Sequence, residues 1–297
     1  MLLITLTYKK ENSLLNKEIN KLIAKYKTNG INMGISEKIE NDIHILKLFS
    51  DNEEFKDKYI KSLKFYIARI VYHIMVENFN LKELKEFIKD NYFYLNSEDI
   101  KTITEKGYYE LKSEEELDGE SEIYKINKKN EIIKKILDCI EENDEFNLDG
   151  FLMFRKNMIY DDFYDIVDKS IEDYLIEKEY NEFIKLLRYF IEIQDSKIEE
   201  VNIFVKKDEG YIILDKEGED IFSDLVADLD EVKKFKKIPR DDIIISGLIS
   251  TAPKKIVIHS KERFTNKELI ETIEKVFVDR VVYCNSCKLC RKLERQY

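Results

Sequence analysis

Residues 255–284 narrow the possible folds of this chain more than any other stretch. They read as a strand (KIVIH, 255–259), a helix (266–276) and a second strand (280–284). Two strands joined through a helix cannot form a hairpin, so they lie parallel in one sheet, and the crossover between them is expected to be right-handed. Parallel strands end at the same sheet edge. His259 ends the first strand and Cys284 the second, so the topology brings an imidazole and a thiol to one edge.

Cys284 also opens the run Cys284-x-x-Cys287-x-x-Cys290, which holds three of the four cysteines in the chain. Thiolates two residues apart can wrap one ion, because a tight turn carries both sulfurs to the same side. An iron–sulfur run would add a cysteine after three more residues, followed by a proline. Glu294 and Arg295 stand there instead. The expected site is therefore zinc held by Cys284, Cys287, Cys290 and His259, acting as a fastener. Two alternatives remain open from the residues alone. One is a reduced, loosely ordered thiol tail with His259 only capping its strand. The other is a redox thiol activated by Lys288, Arg291 and Lys292.

The rest of the chain is helix-rich. Residues 2–8, 31–39 and 42–49 read as strands, and 11–27, 52–77, 81–91 and 97–106 as helices with one apolar face. The stretch 112–122 (KSEEELDGESE) is acidic and nearly free of apolar residues, the composition of a loop or linker. Beyond it, residues 127–142 form a helix and 148–155 an apolar lead into two more. In 161–175, Phe163, Ile166, Val167, Ile171 and Tyr174 fall at helical spacing; in 178–193, Phe183, Leu186, Leu187 and Phe190 do so. A hairpin (200–206 and 211–215) and helices over 220–235 and 240–250 lead to Pro253. The expected class is α/β, with an α+β N-terminal half. Its organisation is an N-terminal subdomain (1–111), an acidic linker (112–126) and a C-terminal domain (127–297) that ends in the Cys module.

Charge separates along the same direction. From residue 233 to 297 there are 16 Lys/Arg against 8 Asp/Glu, a surplus of +8, which leaves −19 for the first 232 residues of a chain whose net charge is −11. A basic end on an acidic body suits an anionic partner such as nucleic acid or a phosphate ligand, or else docks internally. Arg69, His73 and Glu77 share one helix face and read as its solvated side, paired i to i+4; His44 within a strand carries less. No Gly-rich phosphate loop, nucleophile elbow or HExxH motif is present, so an enzyme has little positive support, although a metal- or thiol-dependent one is the remaining alternative. With no signal peptide and no apolar run long enough to span a bilayer, the expected setting is the cytoplasm, with reduced cysteines.

Four segments together carry a resemblance: LDGFLMFR (148–155), EKEYNEFIKLLRYFIEIQ (177–194), ISTAPKKIVIH (249–259) and ELIETIEKVFVDRVVYCNSCKLC (268–290). They resemble the YtxC-like family of sporulation proteins of endospore-forming Firmicutes. The resemblance implies a process, endospore formation, and brings no catalytic residues with it. The implied role is binding or regulation, with protein partners and the Cys cluster as a structural module.

Overall fold

The computed structural model describes residues 1–9, 12–28, 30–50, 57–113, 120–142, 145–205, 210–225, 239–284 and 286–294. β1 (Leu2–Tyr8) is the strand its alternation predicts, and every residue after Leu2 is buried. The burial follows from its place: β1 pairs antiparallel with β3 (Ile43–Ser50) on one side and parallel with β4 (Glu145–Asn147) on the other. β2 (Met33–Glu40) completes the sheet in the order β2-β3-β1-β4. It meets β3 across Asn41 and Asp42, whose φ of 49° and 63° are those of the tight primed turn that these two residues tolerate.

Helices cover this sheet. α1 (Ser13–Thr28) starts where the Asn12 side chain accepts from the Leu15 N–H, and it buries Leu15, Ile19, Leu22 and Tyr26. α2 (Asp57–Asn78), α3 (Leu81–Asn91), α4 (Ser97–Lys112) and α5 (Glu120–Glu141) follow. α4 is held by a capping box in which Asn96 and Asp99 bond each other's backbone N–H groups. Leu63, Ile67, Ile74, Met75, Ile132, Ile136 and Phe163 meet in one core. Lys125 of α5 is 1% exposed and lies 2.8, 3.0 and 3.6 Å from carboxylate oxygens of Glu122, Asp173 and Glu110.

The segment expected to hold an apolar lead and two helices is one helix, α6 (Leu148–Ile193). Glu177 and Lys178, at the expected break, are good helix formers, and neither Gly nor Pro occurs from 151 to 193. In 178–193 the fully buried residues are Ile184 and Ile191, whereas Phe183, Leu186 and Phe190 are exposed.

The chain divides into two compact units, Met1–Ile176 and Glu177–Tyr297. The changeover falls within α6. Residues 114–119 of the acidic loop lie outside the described residues, and its flanks belong to α4 and α5 of the first unit.

The second unit has its own mixed sheet, in the order β6-β5-β7-β8. β5 (Glu200–Val205) and β6 (Tyr211–Leu214) form the expected hairpin. β7 (Lys255–His259) and β8 (Val281–Cys284) are the expected parallel pair, joined through α9 (Lys267–Phe277). β7 also pairs parallel with β5. α9 is N-capped by Asn266 and buries Leu269, Ile270, Ile273, Val276 and Phe277 on one face. The helix expected over 220–235 is represented by α7 (Phe222–Leu225), and 226–238 lie outside the described residues. α7 meets α8 (Arg240–Thr251) at Gly247, where a Cβ would come within 2.8 Å of the Leu225 carbonyl oxygen. Only glycine permits that approach. α10 (Lys288–Glu294), which the sequence left between a metal-binding turn and a loose thiol tail, is a short helix. Among the described residues, no helix is long and apolar enough to cross a membrane.

Candidate metal centre

The strand register builds the site. β7 and β8 pair so that His259 lies directly opposite Cys284, and the Ser260 N–H donates to the Cys284 carbonyl at 3.1 Å. Three residues separate β8 from α10; Cys287, just ahead of that helix, and Cys290, within it, both lie at the same edge. His259 Nδ1 lies 3.2 Å from Cys290 Sγ and 3.7 Å from Cys287 Sγ, and those two sulfurs are 3.6 Å apart. One ligand atom from each of His259, Cys284, Cys287 and Cys290 falls within 4.8 Å of every other. A tetrahedral centre with bonds of about 2.3 Å to sulfur and about 2.05 Å to nitrogen has ligand–ligand edges of roughly 3.8 and 3.6 Å. The spacings fit such a centre. These four residues can hold a metal ion.

Two further residues orient the imidazole, and neither stands out in the sequence reading. Asn202 of β5 is 2% exposed, and its Oδ1 lies 2.9 Å from His259 Nε2. The amide is itself fixed, because its Nδ2 donates to the Asp215 carbonyl at 3.0 Å and to Glu200 Oε1 at 3.1 Å. An amide held this way presents only its oxygen to the ring, so Nε2 carries the proton and Nδ1 turns its lone pair to the sulfurs. This is the outer-sphere arrangement by which metal-ligating histidines are oriented. Phe204, two residues along on the same face of β5, stacks on the ring with centroids 3.9 Å apart and an interplanar angle of 14°. Ile212, Leu214 and Leu289 complete an apolar pocket around Cys290. The signal for Asn202 was a single amide inside the apolar strand EVNIFV, flanked by the fully buried Val201 and Ile203. A buried polar side chain needs a partner.

The electrostatics suit a bound cation. Burial holds the His259 imidazole neutral, taking its pKa down to about 4 against the opposing charge of Glu200, with Lys255 adding to the fall. A neutral ring is the form that ligates. Burial also opposes ionisation of both inner thiols. Hydrogen bonds from the Cys290 backbone and from the Cys290 and Cys284 thiols outweigh it at Cys287, which sits below the usual thiol range. At Cys290 burial and the neighbouring Cys287 push the pKa up to about 11. Ionisation is eased at Cys287 and resisted at Cys290, an imbalance that a cation relieves.

Comparison with known proteins identifies the chain. A sequence profile of the YtxC-like family matches residues 65–282. The chain belongs to the YtxC-like family. It is also 24% identical over 231 residues to the uncharacterized protein YtxC of Bacillus subtilis strain 168, covering 73% of this chain and 77% of the relative. No solved structure matches. The YtxC-like match includes Asn202 and His259 and stops two residues before Cys284.

Arg69, His73, Glu77 and His44, also singled out in the sequence, belong to the first unit. Arg69 and His73 line a shallow groove of about 200 Å³ with Glu18, Lys21, Lys25 and Tyr66, and Glu77 is exposed on the same helix. His44 stacks on Tyr8 and bonds Glu37, which these contacts hold below the usual carboxylate range. Several cations of the basic end are matched within their own unit. Lys254 and Lys255 lie 3.7 and 2.7 Å from Glu199 and Glu200, Lys261 lies 2.9 Å from Glu274, and Arg280 donates to the carbonyls of Ala252 and Pro253.

Proposed function

We propose that the second unit of this chain binds one zinc ion through His259, Cys284, Cys287 and Cys290, and that this centre is a structural staple rather than a catalyst. The observation that carries the reading is the Asn202–His259 hydrogen bond, which aims a neutral Nδ1 at the three sulfurs. The soft donor set favours zinc over oxygen-seeking cations. Four protein ligands leave no open position for a substrate, which is the mark of a structural site. The protein acts by binding or regulation; its place in endospore formation is supported by the resemblance of its second half to sporulation proteins.

The test is metal analysis of the full chain purified without a polyhistidine tag, under reducing conditions. One equivalent of zinc is expected. Cobalt(II) substitution is expected to give intense tetrahedral d–d bands and thiolate charge-transfer absorption, both lost in Cys287→Ser. Absence of metal, or a cobalt spectrum indifferent to Cys287→Ser, overturns the proposal. For the process, deletion of the gene in a spore-forming host is expected to lower the yield of heat-resistant spores; an unchanged yield refutes it.

A further inference from the structure

The C-terminal part of α6 turns five large apolar side chains to solvent. Phe183, Leu186, Tyr189, Phe190 and Ile193 are 50–67% exposed, while Ile184 and Ile191 of the same stretch sit in the core of the second unit. Phe183, Leu186, Phe190 and Ile193 are spaced three, four and three residues apart. That is the seam of a helix that packs on another helix. Five such side chains, half to two-thirds exposed, present about 600 Å² of largely apolar surface. This is the upper end of what the largest patch on a monomer reaches.

We propose that this seam is the contact between two copies of the chain, with the two helices antiparallel about a two-fold axis at Arg188. Two seams together bury about 1,200 Å², the lower edge of specific protein interfaces, which implies a dimer that forms with rising concentration rather than an obligate one. The sequence of the seam is self-complementary in that register. Centred on Arg188, Phe183 of one copy opposes Ile193 of the other, and Leu186 opposes Phe190, so each layer sets one aromatic ring against one aliphatic side chain. Parallel pairing would instead stack Phe on Phe and Leu on Leu. Arg188 itself is turned out of the seam, because its Nε donates to the Lys275 carbonyl of its own unit. A two-fold contact of this kind uses the same patch twice and closes on itself. A lipid surface fits poorly. Residues 177–193 carry four Glu against three Lys/Arg, and a helix lying on a membrane needs a cationic polar face.

The test is sedimentation velocity of the full chain from low micromolar to about 100 µM, a range that brackets interfaces of this size. Leu186→Glu and Phe190→Glu are run beside it. Both positions are exposed, so the variants are expected to keep the wild-type circular dichroism and melting temperature. Wild type is expected to pass from monomer to dimer, and each variant to raise the dimer Kd about tenfold or more. A wild-type chain that stays monomeric throughout overturns the proposal, as do variants that dimerise like wild type. Co-sedimentation of a monomeric wild type with anionic phospholipid vesicles, lost in the variants, would assign the seam to lipid and equally overturn it.

Discussion

Replacing Asn202 by Ala tests whether the imidazole is oriented by its amide partner. The substitution removes the acceptor of the His259 Nε2–H and the donor to the Asp215 carbonyl. The first of these groups is buried with His259, which is 3% exposed, and an unsatisfied buried donor costs about 1–3 kcal/mol. Asp215 is partly exposed, so water can replace the second bond. Separately, loss of an outer-sphere partner lowers metal affinity about 10–100-fold, or about 1.4–2.7 kcal/mol. Competition against a chromophoric chelator measures the affinity, and urea unfolding of the metal-free protein measures the stability. Asn202→Asp separates the two effects. It keeps an acceptor for Nε2–H and is expected to bind zinc within a few-fold of wild type, but to lose stability because a second carboxylate then faces Glu200 across the 3.1 Å contact. A folded Asn202→Ala protein that binds zinc within about twofold of wild type would refute the orienting role. If Asn202→Asp were as damaging to affinity as Asn202→Ala, the amide would matter as a donor and not as an acceptor.

Two further outcomes follow from buried charge. His259 protonates near pH 6.5 in the unfolded chain and near pH 4 in the folded one, so between those values the unfolded state binds the extra proton. The metal-free protein is therefore expected to hold the full contribution of this residue above pH 6.5 and to lose at most about 3 kcal/mol as pH falls to 4; an NMR titration placing the His259 midpoint near 6.5 would contradict this. Lys125→Met leaves Glu110, Glu122 and Asp173 facing one another around a buried methyl group, and is expected to cost about 3–5 kcal/mol by denaturant unfolding. A loss below about 1 kcal/mol would mean that the three carboxylates relax into solvent or take up protons at little cost.

Much of the second unit was legible because its signals are local. The place of β7 follows from the apolar run Ile256–Ile258 between Lys255 and His259, and the parallel pairing of β7 with β8 follows from the helix between them. That pairing was enough to set His259 beside Cys284. The return of Cys287 and Cys290 to the same edge was not legible, since α10 has only seven residues, too few for a helical period to show. Asn202 escaped notice because its partner lies 57 residues away. In α6 periodicity was seen but its meaning was not. Phe183, Leu186 and Phe190 have the spacing of a core face, yet the core of the second unit takes Ile184 and Ile191. Spacing reports that a helix has an apolar face, and only packing tells whether the same chain covers it. β4, three residues long, pairs with β1 across some 140 residues and is too brief for any alternation to mark.

The pairing of His259 with Cys284 has a consequence for how the fold is proofread. Side chains alternate across a strand, so sliding β8 by one residue against β7 would turn Cys284 to the opposite face and dismantle the set of four. A cation that binds only the complete set would thus favour one register of a short strand whose own side chains are half-exposed and specify pairing weakly. One-residue insertions or deletions in the turn at 278–280 should then be punished far more in the presence of zinc than in its absence, because only the correctly registered sheet has ligation energy to lose.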